Sequence, residues 1–151
     1  MITTKSRYAL RAVIDIARHQ DGGAVRRSDI AERQQIPRYY LERILLMLRD
    51  NGVLRSRKGP GGGFMLSRPP NHYTAWDIID AVGEGRPPLE CLQSEDPECR
   101  RVEECQTRCI WARLYNVVRL EMQSIRLAEI LEGDVNKKLG YEVDSLLSSV
   151  G

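Results

Sequence analysis

Four cysteines, Cys91, Cys99, Cys105 and Cys109, are the only thiols in this 151-residue chain, and all fall within 19 consecutive positions. Their spacing is Cys-x7-Cys-x5-Cys-x3-Cys. Thiolates are soft ligands that select zinc, copper(I) or iron–sulfur clusters. Structural zinc usually draws on tight knuckles with about two to four residues between ligands, and only the last pair here is that close. Wide gaps on a loop suit a bulkier iron–sulfur cluster. Neither histidine adds a ligand, since His19 falls in the first predicted helix and His72 before the fourth. A redox thiol pair and plain buried cysteines are the other readings of these residues. In a reducing compartment, such clustering favours a metal or redox site over structural disulfides.

A second stretch, RKGPGGGF (Arg57–Phe64), sets two cations beside four glycines. A nucleotide-binding loop of the GxxxxGK[ST] type places its lysine after the glycines and leads into a helix. Here Lys58 precedes them and an extended segment follows, so nucleotide binding is not expected. A hairpin tip that turns tightly and lies close to a surface fits better, with Arg57, Lys58 and Gly59 at its approach; an ordinary flexible hairpin would need the same glycines.

The elements that must position these residues follow from periodicity. Over residues 5–18, Ala9, Val13 and Ile16 with Leu10, Ile14 and Ala17 form a helical apolar stripe that ends at Asp21-Gly22-Gly23. A short second helix is predicted over Arg27–Gln34. Pro37 suits the first turn of a third, on which Tyr40, Leu41, Ile44, Leu45 and Leu48 share one face. Arg38, Tyr39, Glu42 and Arg43 are then left outward, and Asn51-Gly52 closes the helix. Strands are predicted at Val53–Ser56 and Phe64–Ser67. Helix, short helix, turn, helix and hairpin make a mainly α winged helix-turn-helix.

Thr74 caps a fourth helix carrying Ala75, Ile78, Ile79 and Val82. Residues 83–104 read as a functional loop with seven carboxylates and no periodicity. A long helix from about Cys105 to Ile125 sets Trp111, Leu114, Val118 and Ile125 at coiled-coil-like spacing, interrupted by Glu121. That seam predicts a homodimer; packing inside the monomer is the alternative. On a helix start, Cys105 and Cys109 would share one face. Leu127–Leu131 adds a helical turn or two.

Charge divides the chain. Residues 1–70 hold 14 Lys+Arg against 6 Asp+Glu, and residues 71–151 hold 9 against 15. A basic front half is the footprint expected of a surface that meets phosphates, a solvated Arg-rich helical surface being the other reading; with the winged helix-turn-helix, double-stranded DNA is the expected partner. No apolar run is long enough to span a bilayer and the start MITTKSRYAL lacks a secretion-signal core, so a cytoplasmic protein is expected. No defensible catalytic arrangement is present, so neither an enzyme nor a small-molecule substrate is expected.

Ser6–Ala17 (SRYALRAVIDIA), Tyr40–Phe64 (YLERILLMLRDNGVLRSRKGPGGGF), Thr74–Val82 (TAWDIIDAV) and the cysteine loop running into Ile110-Trp111 resemble the IscR/NsrR/CymR-type bacterial transcription regulators over about residues 1–131. The resemblance implies a homodimeric winged-helix regulator whose DNA affinity depends on a labile iron–sulfur cluster, of [2Fe-2S] or [4Fe-4S] type. Its loop ligands match Cys91, Cys99 and Cys105, and the wider first gap resembles the nitric-oxide-sensing and iron-responsive branches. At positions where relatives carry a histidine or an aspartate as fourth ligand, this chain has Arg108 and Arg7. Arginine cannot coordinate iron, so Cys109 is the expected replacement. Relatives that lack the cysteines regulate without a cluster. The family's DNA contacts map onto Glu42, Arg43 and Lys58. Glu can accept from cytosine N4, Arg can pair with guanine, and a wing cation favours a narrow minor groove. Arg38 and Tyr39 are expected on phosphates.

The expected organisation is a DNA-binding region over 1–70, a connecting helix over 71–84, a cluster-binding loop over 85–109, a dimerisation helix and short helix over 105–131, and a polar tail over 132–151. A thiol- or zinc-responsive regulator of the same fold is the alternative function.

Overall fold

The computed structural model describes residues 3–93 and 99–133. The tail beyond Gly133 and the loop segment 94–98 lie outside the described residues.

The first helix, α1 (Thr4–His19), begins in a capping box in which Thr3 and Ser6 satisfy each other's backbone N–H groups. Ala9, Ala12, Val13 and Ile16 are fully buried along it. A 3-10 turn, Gln20–Gly22, leads to α2 (Arg27–Gln34). Gln35 ends α2 in the left-handed conformation (φ 51°), donating its N–H to the carbonyls of Ala31 and Glu32. Pro37 is the N-cap of α3 (Arg38–Asp50) rather than a residue inside its first turn, and its carbonyl accepts the Leu41 N–H at 2.9 Å. Leu41, Ile44, Leu45 and Leu48 face the core as the spacing predicts, while Tyr40 is half-buried, with its ring edge-on to Tyr8.

The antiparallel hairpin consists of β1 (Leu54–Arg57) and β2 (Gly63–Leu66), with Arg57 opposite Gly63 and Leu54 opposite Leu66. Both strands are displaced by one residue from the predicted ranges. Val53 N–H bonds the Leu48 carbonyl at the end of α3, while its own carbonyl accepts the Ser67 N–H at 3.0 Å, so a single bond of the pairing continues past both strand ends. The hairpin is also tied to the segment before α2, since Val25 and Phe64 exchange two backbone hydrogen bonds of 2.8 Å. The glycine run has a steric cause. A Cβ on Gly63 would lie 2.2 Å from the Val25 carbonyl oxygen, and one on Gly62 would lie 2.4 Å from that of Arg57.

Thr74 and Asp77 form the capping box of α4 (Ala75–Ala81). The following loop holds a 3-10 turn at Glu90–Leu92. The long helix α5 spans Arg108–Ser124, so it starts later than expected and Cys105 precedes it. Finally, α6 (Leu127–Glu132) returns the chain to α4: Leu127 N–H bonds the Tyr73 carbonyl at 2.9 Å, and Ala75 N–H bonds that of Ile125 at 2.8 Å. Leu127 thereby joins one continuous core with α1, α2, α3 and the hairpin.

Candidate nucleic-acid interface and cysteine loop

Burial of the Leu41–Ile44–Leu45–Leu48 stripe turns Arg38, Tyr39, Glu42 and Arg43 to the surface together. Tyr39 is 74% exposed, so its ring and hydroxyl stand open to solvent beside Arg38, Glu42 and Arg43. Two features mount α3 rigidly. The helix packs on α1 and α2, and α2 is clamped to α1 by a buried carboxylate. Asp15 is 1% exposed and accepts from Arg33 Nη2 at 2.7 Å, Arg33 Nε at 3.0 Å and Gln34 Nε2 at 2.9 Å. Burial alone would raise its pKa, but the hydrogen bonds from Arg33 and Gln34 and the Arg33 charge outweigh it and hold the carboxyl below the ordinary value. Arg11 adds a bond to the Gln34 carbonyl.

Arg57 closes β1 with its side chain exposed, and Lys58 and Gly59 stand exposed at the turn, where Gly59 has φ 85°. The seven residues predicted to meet DNA thus lie on two structures, the outward face of α3 and the hairpin, joined through the core. Sequence reasoning missed one further group here. Arg27, the first residue of α2, forms an ion pair with Glu42. The two lie on different helices, so no local spacing could have indicated it.

The cysteine loop closes on the start of α5. Cys91 lies in the 3-10 turn, Cys99 is exposed, Cys105 precedes α5, and Cys109 is in its first turn. All four are free thiols. Arg108 Nε donates to the Cys91 carbonyl at 3.1 Å, which brings the first cysteine's backbone against the helix that carries the last. Cys109 Sγ donates to the Gln106 carbonyl at 3.2 Å. Thr107 Oγ1 lies 3.5 Å from Cys105 Sγ and holds that thiol below its ordinary pKa. Because Cys105 is off the helix, it and Cys109 do not share a helical face as expected. Among the described residues no three His, Cys, Asp or Glu side chains converge into a metal site. The donor set still fits an iron–sulfur cluster chemically, since four soft thiols lie on one loop and helix start and none is committed to a disulfide.

The seam on α5 differs from the predicted one. Val118 and Ile125 are half-buried on the side facing the body of the fold, the side on which Tyr115 meets Trp76 edge-on at 5.9 Å and bonds the Gly85 carbonyl at 2.7 Å. Trp111 and Leu114 are exposed, and the other exposed apolar residues of the helix are Ile110, Val117 and Leu120. No helix among the described residues is long and apolar enough to cross a membrane.

Comparison with known proteins supplies the family. The profile described as "Rrf2: Iron-dependent Transcriptional regulator" matches residues 2–133. The chain belongs to the Rrf2 family. Among Rrf2-type relatives, the HTH-type transcriptional regulator IscR of Xenorhabdus nematophila is 36% identical over 131 residues, covering 87% of this chain and 79% of the relative. Among solved structures, CymR, the global cysteine regulator of B. subtilis, superposes with a TM-score of 0.70 at 30% identity, covering 87% of this chain and 96% of that one. IscR of T. potens does so with a TM-score of 0.70 at 26% identity, covering 96% of each. The winged-helix fold and the regulator class follow: this Rrf2 chain is a transcriptional regulator, not an enzyme.

Proposed function

We propose that the chain acts as a homodimer on a double-stranded operator, with α3 in the major groove and the hairpin as a wing, and that an iron–sulfur cluster held by Cys91, Cys99, Cys105 and Cys109 sets its affinity for that operator. The observation that carries this reading is the placement of four free thiols on the loop and first turn of α5, the helix whose exposed apolar stripe suits a second copy. When bound, the cluster supplies a redox- and iron-sensitive link between the loop and α5.

The chain's own residues have separable roles. Arg38 and Tyr39 anchor phosphates, Glu42 and Arg43 select bases, and Arg57, Lys58 and the backbone at Gly59 approach the neighbouring groove. Two half-sites require two copies, so anything that shifts α5 changes the spacing of the two α3 helices and hence the fit to DNA. Cysteines, Arg108 and α5 form the chain of contacts through which the loop can do so.

A second reading, regulation by the thiols alone or by zinc, is favoured by the likeness to CymR and by the lowered Cys105 thiol. Ultraviolet–visible spectra with iron and acid-labile sulfide assays on anaerobically purified protein separate the two. Visible absorbance with stoichiometric iron and sulfide supports the cluster; a colourless protein with reactive thiols or bound zinc supports the second reading.

A further inference from the structure

Glu42 is not a bare charge on α3. Its Oε1 is ion-paired with Arg27 Nη1, and the two side chains are 45% (Arg27) and 49% (Glu42) exposed, so the pair sits at the surface where DNA would approach. An unpaired carboxylate there would be repelled by phosphates at every sequence. A guanidinium docked on one oxygen cancels that charge and fixes the direction of the other oxygen, which remains able to accept from an amino group on a base edge. Arg27 is well mounted for the task. It opens α2, whose far end is held by the Asp15–Arg33–Gln34 clamp to α1.

We propose that Arg27 is a specificity-determining positioning residue: it holds the Glu42 carboxylate as a neutralised, oriented acceptor, so that base selection by α3 depends on a residue of α2. The inference rests on α3 being the operator-reading helix. The competing role for Arg27 is a plain phosphate contact. The two differ in kind, because a phosphate contact strengthens binding to all sequences alike, whereas a positioning residue changes the ratio between sequences.

The test uses the full chain, duplexes that it enriches from a random-sequence pool, and single-base variants of those duplexes. Glu42→Ala defines the base position that Glu42 reads. Arg27→Ala should lower discrimination at that same position by about tenfold, the double variant should be no less selective than Glu42→Ala alone, and Arg27→Lys should restore part of the selectivity. Unchanged discrimination at that position, with a loss across all duplexes that is just as large in the Glu42→Ala background, would make Arg27 a phosphate contact and overturn the proposal. In the DNA-free protein, Glu42→Ala should shift the NMR signals of the Arg27 guanidinium protons. Unchanged signals would mean that the side chains do not meet, which overturns this inference alone. Enrichment of no sequence by the unaltered chain would instead remove the operator-reading function on which it rests.

Discussion

Arg108 Nε donates to the backbone carbonyl of Cys91 at 3.1 Å, across 17 positions of sequence. The bond ties the start of the cysteine loop to the start of α5, and Arg108 occupies the position where the family resemblance places a histidine ligand. An arginine there serves as a clasp on the loop rather than a ligand.

Removing that clasp should be visible as local opening. Arg108→Ala loses one charge-assisted hydrogen bond on a partly exposed side chain, worth about 1 kcal/mol. Amide exchange at Leu92 and Gln93, whose N–H groups close the 3-10 turn around Cys91, should speed up by roughly fivefold to tenfold. Exchange in α3, remote from the clasp, should be unchanged. Equal exchange at Leu92 before and after the substitution would show that the bond does not restrain the loop.

The Asp15 clamp predicts a pH-dependent stability. Asp15→Asn removes the charge opposite Arg33 and should cost about 2 kcal/mol in urea unfolding near pH 7, less than a fully buried pair because Arg33 retains access to water. In the folded chain the Asp15 pKa is lowered, so its contribution is fully present above the unfolded carboxyl value of about 3.9 and is lost as pH falls through the depressed folded value. The native chain should therefore lose stability more steeply than Asp15→Asn below about pH 4. Parallel curves would mean that the carboxylate is not held by Arg33.

The wing and α3 should separate in salt titrations. Lys58→Ala should weaken binding to all duplexes and lower the dependence of log affinity on log salt by about one, because a single phosphate contact is lost. Glu42→Ala, which removes no phosphate contact, should not lower that slope and should relax sequence preference. An unchanged slope in Lys58→Ala would take the wing off the phosphate.

The corrected stripe on α5 gives a sharper test of assembly than the predicted one. Ile110, Leu114 and Val117 are exposed together, whereas Val118 faces the body of the fold. Leu114→Asp or Val117→Asp would set like charges against each other in an apolar contact, so each should sediment as a monomer while keeping its helical circular dichroism. Val118→Asp should lower the folding stability of the chain itself. Dimers that survive both Leu114→Asp and Val117→Asp would exclude this stripe as the interface.

The three front helices were legible because each sets a single apolar stripe against a polar face, as Leu41, Ile44, Leu45 and Leu48 do on α3. The seam on α5 is ambiguous in the sequence because that helix is apolar on two sides: Tyr115, Val118 and Met122 recur at three-and-four spacing as Ile110, Leu114 and Val117 do, and periodicity alone does not say which set meets the core. The start of α5 leaves little mark in the sequence, since Thr107, its N-cap, makes no side-chain capping bond. Long-range polar pairs, Asp15 with Arg33 and Arg27 with Glu42, leave no periodic trace at all. In the site, the residue types of the loop are legible, but whether the four thiols meet at one centre depends on three-dimensional closure that spacing does not encode, and among the described residues no three of them converge.

Cys109 as the fourth cluster ligand is the most exacting prediction. Its support is chemical and positional: Arg7 and Arg108 cannot ligate, Arg108 is already engaged with the Cys91 carbonyl, and Cys109 is the next residue on the same helical turn. Its thiol is exposed and donates to the Gln106 carbonyl, a weak contact that a metal would readily replace. Cys105 does not share a helical face with Cys109, but its carbonyl accepts the Arg108 N–H at 3.2 Å, which ties it to the start of the helix that carries Cys109. Alanine at Cys91, Cys99 or Cys105 should abolish visible absorbance and bound iron in anaerobically purified protein, and Cys109→Ala should do the same. A Cys109→Ala protein that keeps its spectrum, iron content and oxygen sensitivity would hand the fourth position to another donor, for which a carboxylate such as Glu104 is the next substitution to make.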